Sequence, residues 1–457
     1  MRAGAVRAGR RLNVPIPAGF CQVPIALIRQ RLRTRPEGDF APSDLHNGAM
    51  LAEDADLPLL AHDDPAFTGE RFHDVLDDLA SRTWLVRSDL GYLVLGREPG
   101  MALLKDRRLS FPAVELLELQ GLNDGVIYER TTKGLMAQSG PAHARLRRLV
   151  SAAFTPRQVE RLRPTLRGYL DQLWRDIAPA GRCEVVTALA RPLPSMAIAE
   201  LLGVPGDDAL LARWSGSLQA VFDMDMDARR AEIETAYEEV REYVLDLIVK
   251  RRQDPGEDLL SALVHQQSQQ PDDDGLSDDE IVTLSASVIS GGTDTTESQL
   301  AHGLRLFSEH PDQWKKLGEE PALVDQAAQE VLRFEPIVPF TARLVREELE
   351  VDGIVFPVGT VLFVCAATAN RDPLIYADPG RFDIIADRAG AQVLSFGFGT
   401  HFCAGSHLAR AEMIEALAFL APRMRDLEPD GEPVFGTPTG IYTMRSLPVR
   451  FTPGEPG

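Results

Sequence analysis

Cysteine, lysine and long apolar runs are all scarce in this chain of 457 residues, and each scarcity excludes something. The four cysteines, Cys21, Cys183, Cys365 and Cys403, lack paired spacing, which argues against a disulfide framework and for a reducing, cytoplasmic setting. No apolar run approaches the ~20 residues that span a bilayer. Val23 to Ile28 is far too short and is interrupted by Pro24, so no membrane anchor is expected. Lysine occurs five times against 43 arginines, a bias without a functional reading. Basic residues together number 48 against 68 acidic ones, a formal charge of -20. Such a chain repels nucleic acid overall, and that class of partner is not expected without a local basic patch.

What is present is ordinary globular usage, 44% hydrophobic and 25% charged, enough to bury a core without staples. Residues 1–35 carry eight arginines and no acid, so every acidic residue lies beyond them. An Arg-rich start can serve as a targeting segment or a membrane-surface arm; a functionless mobile tail ahead of Met50 is the plainer expectation. From about Leu57 the pattern becomes regular. Trp84 to Arg87 and Tyr92 to Leu95 read as strands around a Ser88, Asp89, Gly91 turn, and Leu349 to Ala367 as a second strand region. Between Pro141 and Pro336 the apolar period is helical, as in Val159 to Trp174, Met196 to Leu202 and Arg229 to Arg251. The expected fold class is therefore mainly α with small β-sheets. Ser268 to Gly275, with three adjacent aspartates, reads as a polar linker rather than a metal site.

Four local patterns carry chemistry. Cys403 sits in a glycine-lined loop, Phe396 to Gly405, just before an apolar helical run from Leu408 to Leu420. Glycines let the backbone approach a flat ligand, and the helix N-terminus is expected to lower the thiol pKa. The residues alone leave several readings open: a zinc site with His401, Cys403 and His407, a dinucleotide loop on Gly397 and Gly399, a Cys403 nucleophile with His401 as base, or a structural loop. A long helix is expected from Ser277, where Ser277 and Glu280 form a capping box, through Phe307. Inside it, Gly291 and Gly292 are poor helix formers followed by Thr293, Asp294, Thr295 and Thr296, a sequence that suggests a widened turn with an acid and a hydroxyl for proton transfer. Glu330 and Arg333 stand three apart on one helix face and can pair. His143 and Arg147 stand one turn apart, where two cations repel unless an anion is shared between them.

Phe396, Gly399, His401, Cys403 and Gly405 together resemble the haem-binding signature of the cytochrome P-450 family, F-x-x-G-x-H/R-x-C-x-G, and match it at every position. The other three patterns follow in the order that family requires. The resemblance runs from about residue 60 to the C-terminus and implies a triangular, helix-rich single domain over 58–457, with 1–57 as an Arg-rich extension. It implies haem b on Cys403 as axial iron ligand, lined by Phe396, Gly399, Gly405 and Gly292. Its propionates would be held by His143, Arg147, His401 and Arg343. Asp294 and Thr295 would deliver protons to dioxygen, and Glu330, Arg333 and Arg381 would form a structural triad. Ser139, Gly140, Pro141 departs from the family's usual Asp-Pro-Pro and leaves the start of the His143 helix undefined. A substrate pocket would draw on the loop from Phe111 to Met136, on Val221, Phe222 and Met224, and on Val288, Val338, Phe340 and Ile441, which favours a hydrophobic small molecule. With no flavin or cluster motif, electrons would come from a ferredoxin and ferredoxin reductase, docking on Arg145, Arg147, Arg148 and Arg161. The expected activity is monooxygenation. The alternative is a haem-binding sensor or ligand carrier without turnover, against which the Asp294 and Thr295 pair weighs.

Overall fold

The computed structural model describes residues 49–60, 69, 71–222, 226–269, 276–388, 390–438 and 440–454. Cys21, the Arg-rich start up to residue 48, Met224 and residues 270–275 of the aspartate-rich linker lie outside them. The helices in chain order are α1 (Arg71–Ala80), α2 (Arg97–Lys105), α3 (Ala113–Leu119), α4 (Gly125–Lys133), α5 (Gly140–Ser151), α6 (Pro156–Ile177), α7 (Pro192–Leu202), α8 (Asp208–Gln219), α9 (Arg230–Gln253), α10 (Leu259–Gln269), α11 (Asp278–Glu309), α12 (Pro311–Glu319), α13 (Val324–Phe334), α14 (Ala366–Ala369) and α15 (Ser406–Leu420).

Strands are short and peripheral. A six-stranded sheet has the order β2 (Leu59–Leu60), β3 (Leu85–Ser88), β4 (Gly91–Val94), β10 (Val361–Cys365), β7 (Phe340–Val345), β5 (Leu109–Ser110). Within it β3 and β4 form the expected hairpin, Val86 opposite Leu93, and β4 runs parallel to β10 with Leu93 beside Phe363. A three-stranded sheet orders β1 (Met50–Leu51), β9 (Ile354–Phe356) and β8 (Leu349–Val351). Met50 and Leu51 therefore already pair with Ile354 and Val355, and Arg87 donates to the carbonyls of Ala52, Glu53 and Ala55. The folded unit begins ahead of residue 58, the boundary expected from sequence. A further sheet sets β14 (Pro448–Pro453) between β11 (Met424–Pro429) and β6 (Arg182–Glu184), and β12 (Val434–Phe435) pairs with β13 (Met444–Ser446).

The long helix α11 is the axis of the fold. Ser277 Oγ accepts from the Glu280 amide at 3.1 Å while Glu280 accepts from the Ser277 amide at 2.9 Å, and three acids in the first turn suit the helix dipole. Its 32 residues run about 48 Å. Every residue from Thr296 to Ser308 is buried, the mark of a helix enclosed on all sides. The turns containing Gly291 and Gly292 remain α-helical, so the expected widened turn is absent. Thr295 Oγ1 donates to the Gly291 carbonyl at 2.7 Å, a bond that occupies the hydroxyl proton without opening the helix. Gly292 answers to packing: a Cβ there would lie 2.4 Å from Ile198 Cδ1 of α7. Gly291 is the glycine that faces open space, with no atom within 4 Å of a Cβ.

Candidate functional site

The loop before α15 is fixed by its own backbone. The Cys403 amide donates to the Phe396 carbonyl at 2.9 Å, and Phe402 to Gly399 at 3.1 Å. Gly399 has φ +72°, and a Cβ on it would stand 2.4 Å from the carbonyl oxygen of Leu104 in α2. Arg410 of α15 lies over the Phe396 ring at 5.0 Å. The loop is thereby clamped between α2 and α15, with Cys403 at its tip. Gly405 stands immediately before α15, with the Phe154 ring in ordinary contact range.

Cys403 is exposed on one side and yet surrounded by protein atoms on the others. Burial pushes its pKa up, while the amides of Gly405 and Ser406 and the guanidinium groups of Arg147 and Arg410 pull it down. Burial wins, contrary to the lowered thiol pKa expected from the helix N-terminus. A thiol so placed deprotonates readily only against a stronger positive charge, such as a metal ion.

Beside it α5 begins at Gly140, with Ser139 in extended conformation as its N-cap, which defines the helix start that the sequence left open. His143 and Arg147 project from one face of this helix. The His143 and His401 rings approach to 4.4 Å, and the buried Nε2 of His143 has no hydrogen-bond partner. Arg343, on β7, is 3% exposed and donates only to the carbonyl of its neighbour Ala342. Burial pushes the Arg343 pKa down to about 10 and lowers that of Arg147. His401 is pushed down to about 4 by burial, then by the charges of His143, Arg343 and Arg147. Among the described residues no carboxylate pairs with any of these four groups. Two buried guanidinium groups beside two imidazoles, one with an orphaned ring nitrogen, fit a dianionic ligand, and a haem with two propionates would satisfy both these groups and the thiol.

Asp294 and Thr295 diverge around α11. Thr295 lies on the side of Gly291, whereas Asp294 lines a cleft of about 680 Å³ between α7, α8, α11 and β13. Burial, followed by the nearby charge of Glu297, pushes the Asp294 pKa up to about 7. The neighbouring Ser215 hydroxyl, which donates to the Ser290 carbonyl at 3.3 Å, and the charges of Arg191 and Arg229 act in the opposite direction.

The expected triad has a different third member. Arg333 holds Glu330 through two bonds of 2.7 and 2.8 Å, both side chains being 1% exposed. Arg333 also donates to the carbonyls of Asn370, Pro379 and Arg381, at 3.1, 2.8 and 3.0 Å. Arg381 contributes only that carbonyl; its side chain points outward to Asp383 at 3.6 Å. The guanidinium on Glu330 is that of Arg388, at 3.3 and 3.4 Å. Sequence reasoning missed Arg388 because the turn after Asp378, at φ 46°, decides which arginine faces inward.

Several other expectations shift. Val288 is buried in the apolar core shared with α7 to α10. Phe340, the first residue of β7 in the large sheet, sits edge-on to Phe72 at 6.1 Å. Val338 and Ile441 are half-buried. Phe111 and Phe222 meet edge-on at 6.4 Å. In the expected basic patch, Arg145 is instead paired with Glu280 and Arg147 turns inward, while Arg148 stays exposed.

The family model described as Cytochrome P450 matches residues 209–421. Luteothin monooxygenase of Streptomyces thioluteus is 36% identical over 402 residues, covering 87% of this chain and 97% of that protein. The chain belongs to the cytochrome P450 family. A second relative, the polyketide biosynthesis cytochrome P450 PksS of Bacillus subtilis, is 30% identical over 342 residues, 74% of this chain and 82% of PksS. The crystal structure of CalO2 superposes with a TM-score of 0.77 at 30% identity, covering 84% of this chain and 96% of CalO2. This P450 is thus a haem enzyme of monooxygenase type acting with dioxygen on a hydrophobic substrate. Among its described residues no helix is long and apolar enough to cross a membrane.

Proposed function

We propose that Cys403 is the axial thiolate ligand of haem b, that His143, Arg147, Arg343 and His401 hold its propionates, and that the enzyme inserts one oxygen atom into a hydrophobic, polyketide-type molecule. The observation that carries this reading is the buried group of Arg147, Arg343, His143 and His401, which no carboxylate pairs with among the described residues, set beside the Cys403 thiol. When bound, a thiolate-ligated haem supplies dioxygen activation.

The chain's own residues supply the proton path. The Thr295 hydroxyl donates its hydrogen bond to the Gly291 carbonyl, so its lone pairs are left to accept one on the open side of α11. Asp294 takes a proton from water in its cleft and releases one inward, a task suited to an acid with pKa about 7. The edge-on Phe111 and Phe222 rings form an apolar wall for the substrate. The name of the relative PksS supports the polyketide class. Electrons come from a ferredoxin and its reductase, with the exposed Arg148 on α5 as one docking cation, in a cytoplasmic setting.

The test is turnover with NADPH, ferredoxin and reductase over a panel of polyketides and other hydrophobic compounds under isotopically labelled dioxygen. Expected are a substrate-induced shift of the haem absorption band and a product carrying one labelled oxygen atom. Ligand-induced shifts with no product from any compound would favour the sensor or carrier reading instead.

A further inference from the structure

Glu297 stands one turn beyond Asp294 on α11, and both carboxyl groups line the same cleft. It is 9% exposed and receives a fork from Arg191 at the start of α7: Nε to Oε2 at 3.1 Å and the terminal nitrogen to Oε1 at 3.0 Å. Both groups line the same cleft as Asp294. Arg229, the other cation that faces Asp294, is bonded to Glu232 at 2.8 and 3.1 Å and to the Gly216 carbonyl. The cleft therefore holds two guanidinium groups close enough to act on Asp294, each turned onto a different glutamate. Among the described residues no guanidinium hydrogen-bonds to Asp294, and the Ser215 hydroxyl of α8 beside it donates to the Ser290 carbonyl at 3.3 Å.

We propose that Glu297 is a positioning residue for proton supply: by holding Arg191 in a two-point bond, it keeps that guanidinium off Asp294 and leaves Asp294 able to load from the cleft and unload inward. This rests on the reading of Asp294 as the relay acid. The proton balance is simple. A cleft water protonates the Asp294 carboxylate, the acid gives that proton inward, and no electron moves. If Arg191 instead forked onto Asp294, the carboxylate would be stabilised and would resist reprotonation. The remaining charges facing the cleft are Asp208 and Arg213 of α8 and Arg445 of β13, while Glu184 of β6 acts on both Arg191 and Glu297. These are unchanged by a substitution at 297, which removes the charge of Glu297 and releases Arg191, two changes that both favour the Asp294 carboxylate; Arg191→Gln isolates the part due to the guanidinium.

The experiment compares wild type, Glu297→Gln, Arg191→Gln, the double variant and Asp294→Asn as haem-loaded enzymes. Two readouts are taken. One is the pH titration of the Asp294 carboxylic acid band by difference infrared spectroscopy, assigned with Asp294→Asn. The other is the share of NADPH electrons lost as hydrogen peroxide across pH. Glu297→Gln is expected to move the infrared midpoint toward acid by about one pH unit or more. It should also raise the peroxide share several-fold with KM unchanged. The double variant, lacking the guanidinium, should return both toward wild type, a rescue that a merely structural role for Glu297 would not produce. Should Glu297→Gln fail to load haem, Arg191→Gln decides alone: a midpoint at or above the wild-type value supports the proposal, and an acid shift overturns it. A Glu297→Gln enzyme with wild-type midpoint and coupling, or a double variant as uncoupled as Glu297→Gln, also overturns it. If Asp294→Asn itself leaves coupling and rate unchanged, the relay reading fails. If Asp294→Asn uncouples while Glu297→Gln does not, the relay stands and only the role of Glu297 falls.

Discussion

Gly399→Ala tests how the cysteine loop is held, and the structure supplies its own control at Gly397. Both glycines lie in the left-handed region, φ +72° at 399 and +69° at 397, so alanine at either costs about 1–2 kcal/mol of backbone strain. They differ in what a methyl group would meet. At 397 the nearest neighbour is the His401 carbonyl oxygen at 3.9 Å, an ordinary contact; at 399 it is the Leu104 carbonyl oxygen at 2.4 Å, part of the α2 backbone. Relieving that clash means displacing α2 or the loop by roughly 1 Å, which overpacking costs place at about 1–3 kcal/mol more. Gly399→Ala is thus expected to lose ~2–5 kcal/mol against ~1–2 kcal/mol for Gly397→Ala. Urea unfolding followed by circular dichroism, with haem content measured on the same samples, reads both. The 399 variant should unfold at distinctly lower urea and retain less haem. Equal midpoints for the two variants would refute the claim that close approach to α2 holds the loop.

Other outcomes follow from the same geometry. Arg388→Ala strips a cation from the buried Glu330 and should destabilise by about 3 kcal/mol, whereas Arg381→Ala should stay within about 0.5 kcal/mol; thermal midpoints decide, and the reverse order would restore Arg381 to the triad. His143→Ala or Arg343→Ala should weaken haem retention during gel filtration without lowering helix content, since each removes a buried nitrogen group that no carboxylate pairs with among the described residues. His302, fully buried with Nε2 at 3.0 Å from the Tyr442 carbonyl, is pushed by burial from 6.5 down to about 4. The folded state therefore holds it neutral while the unfolded chain binds a proton, so its contribution is complete above pH 6.5 and fades as pH falls toward 4. That loss is about 3 kcal/mol, and His302→Gln should flatten the stability profile over this window; an unchanged slope would count against it.

Much of this was legible in the sequence because the deciding signals are local. The capping box at Ser277 and Glu280, the one-turn spacing of His143 and Arg147 and the loop from Phe396 to Gly405 each involve residues close along the chain. What escaped depends on distant partners. Gly292 looked like room for a ligand, but the space is filled by Ile198 from another helix. Arg381 and Arg388 are both arginines in one loop, and only the turn at Asp378 separates their directions. Arg145 is claimed by Glu280, 135 positions away. The thiol of Cys403 is governed by burial, which no local pattern reports, and the Arg191 fork on Glu297 joins residues 106 positions apart.

The most direct test of the account is the absorption spectrum of the dithionite-reduced, carbon monoxide-treated protein, wild type beside Cys403→Ser. Wild type should show the strongly red-shifted band of a thiolate opposite carbon monoxide, and Cys403→Ser should lose it. A wild-type band at the position of imidazole-ligated haem, or a red-shifted band that survives in Cys403→Ser, would contradict the assignment of Cys403 as the iron ligand.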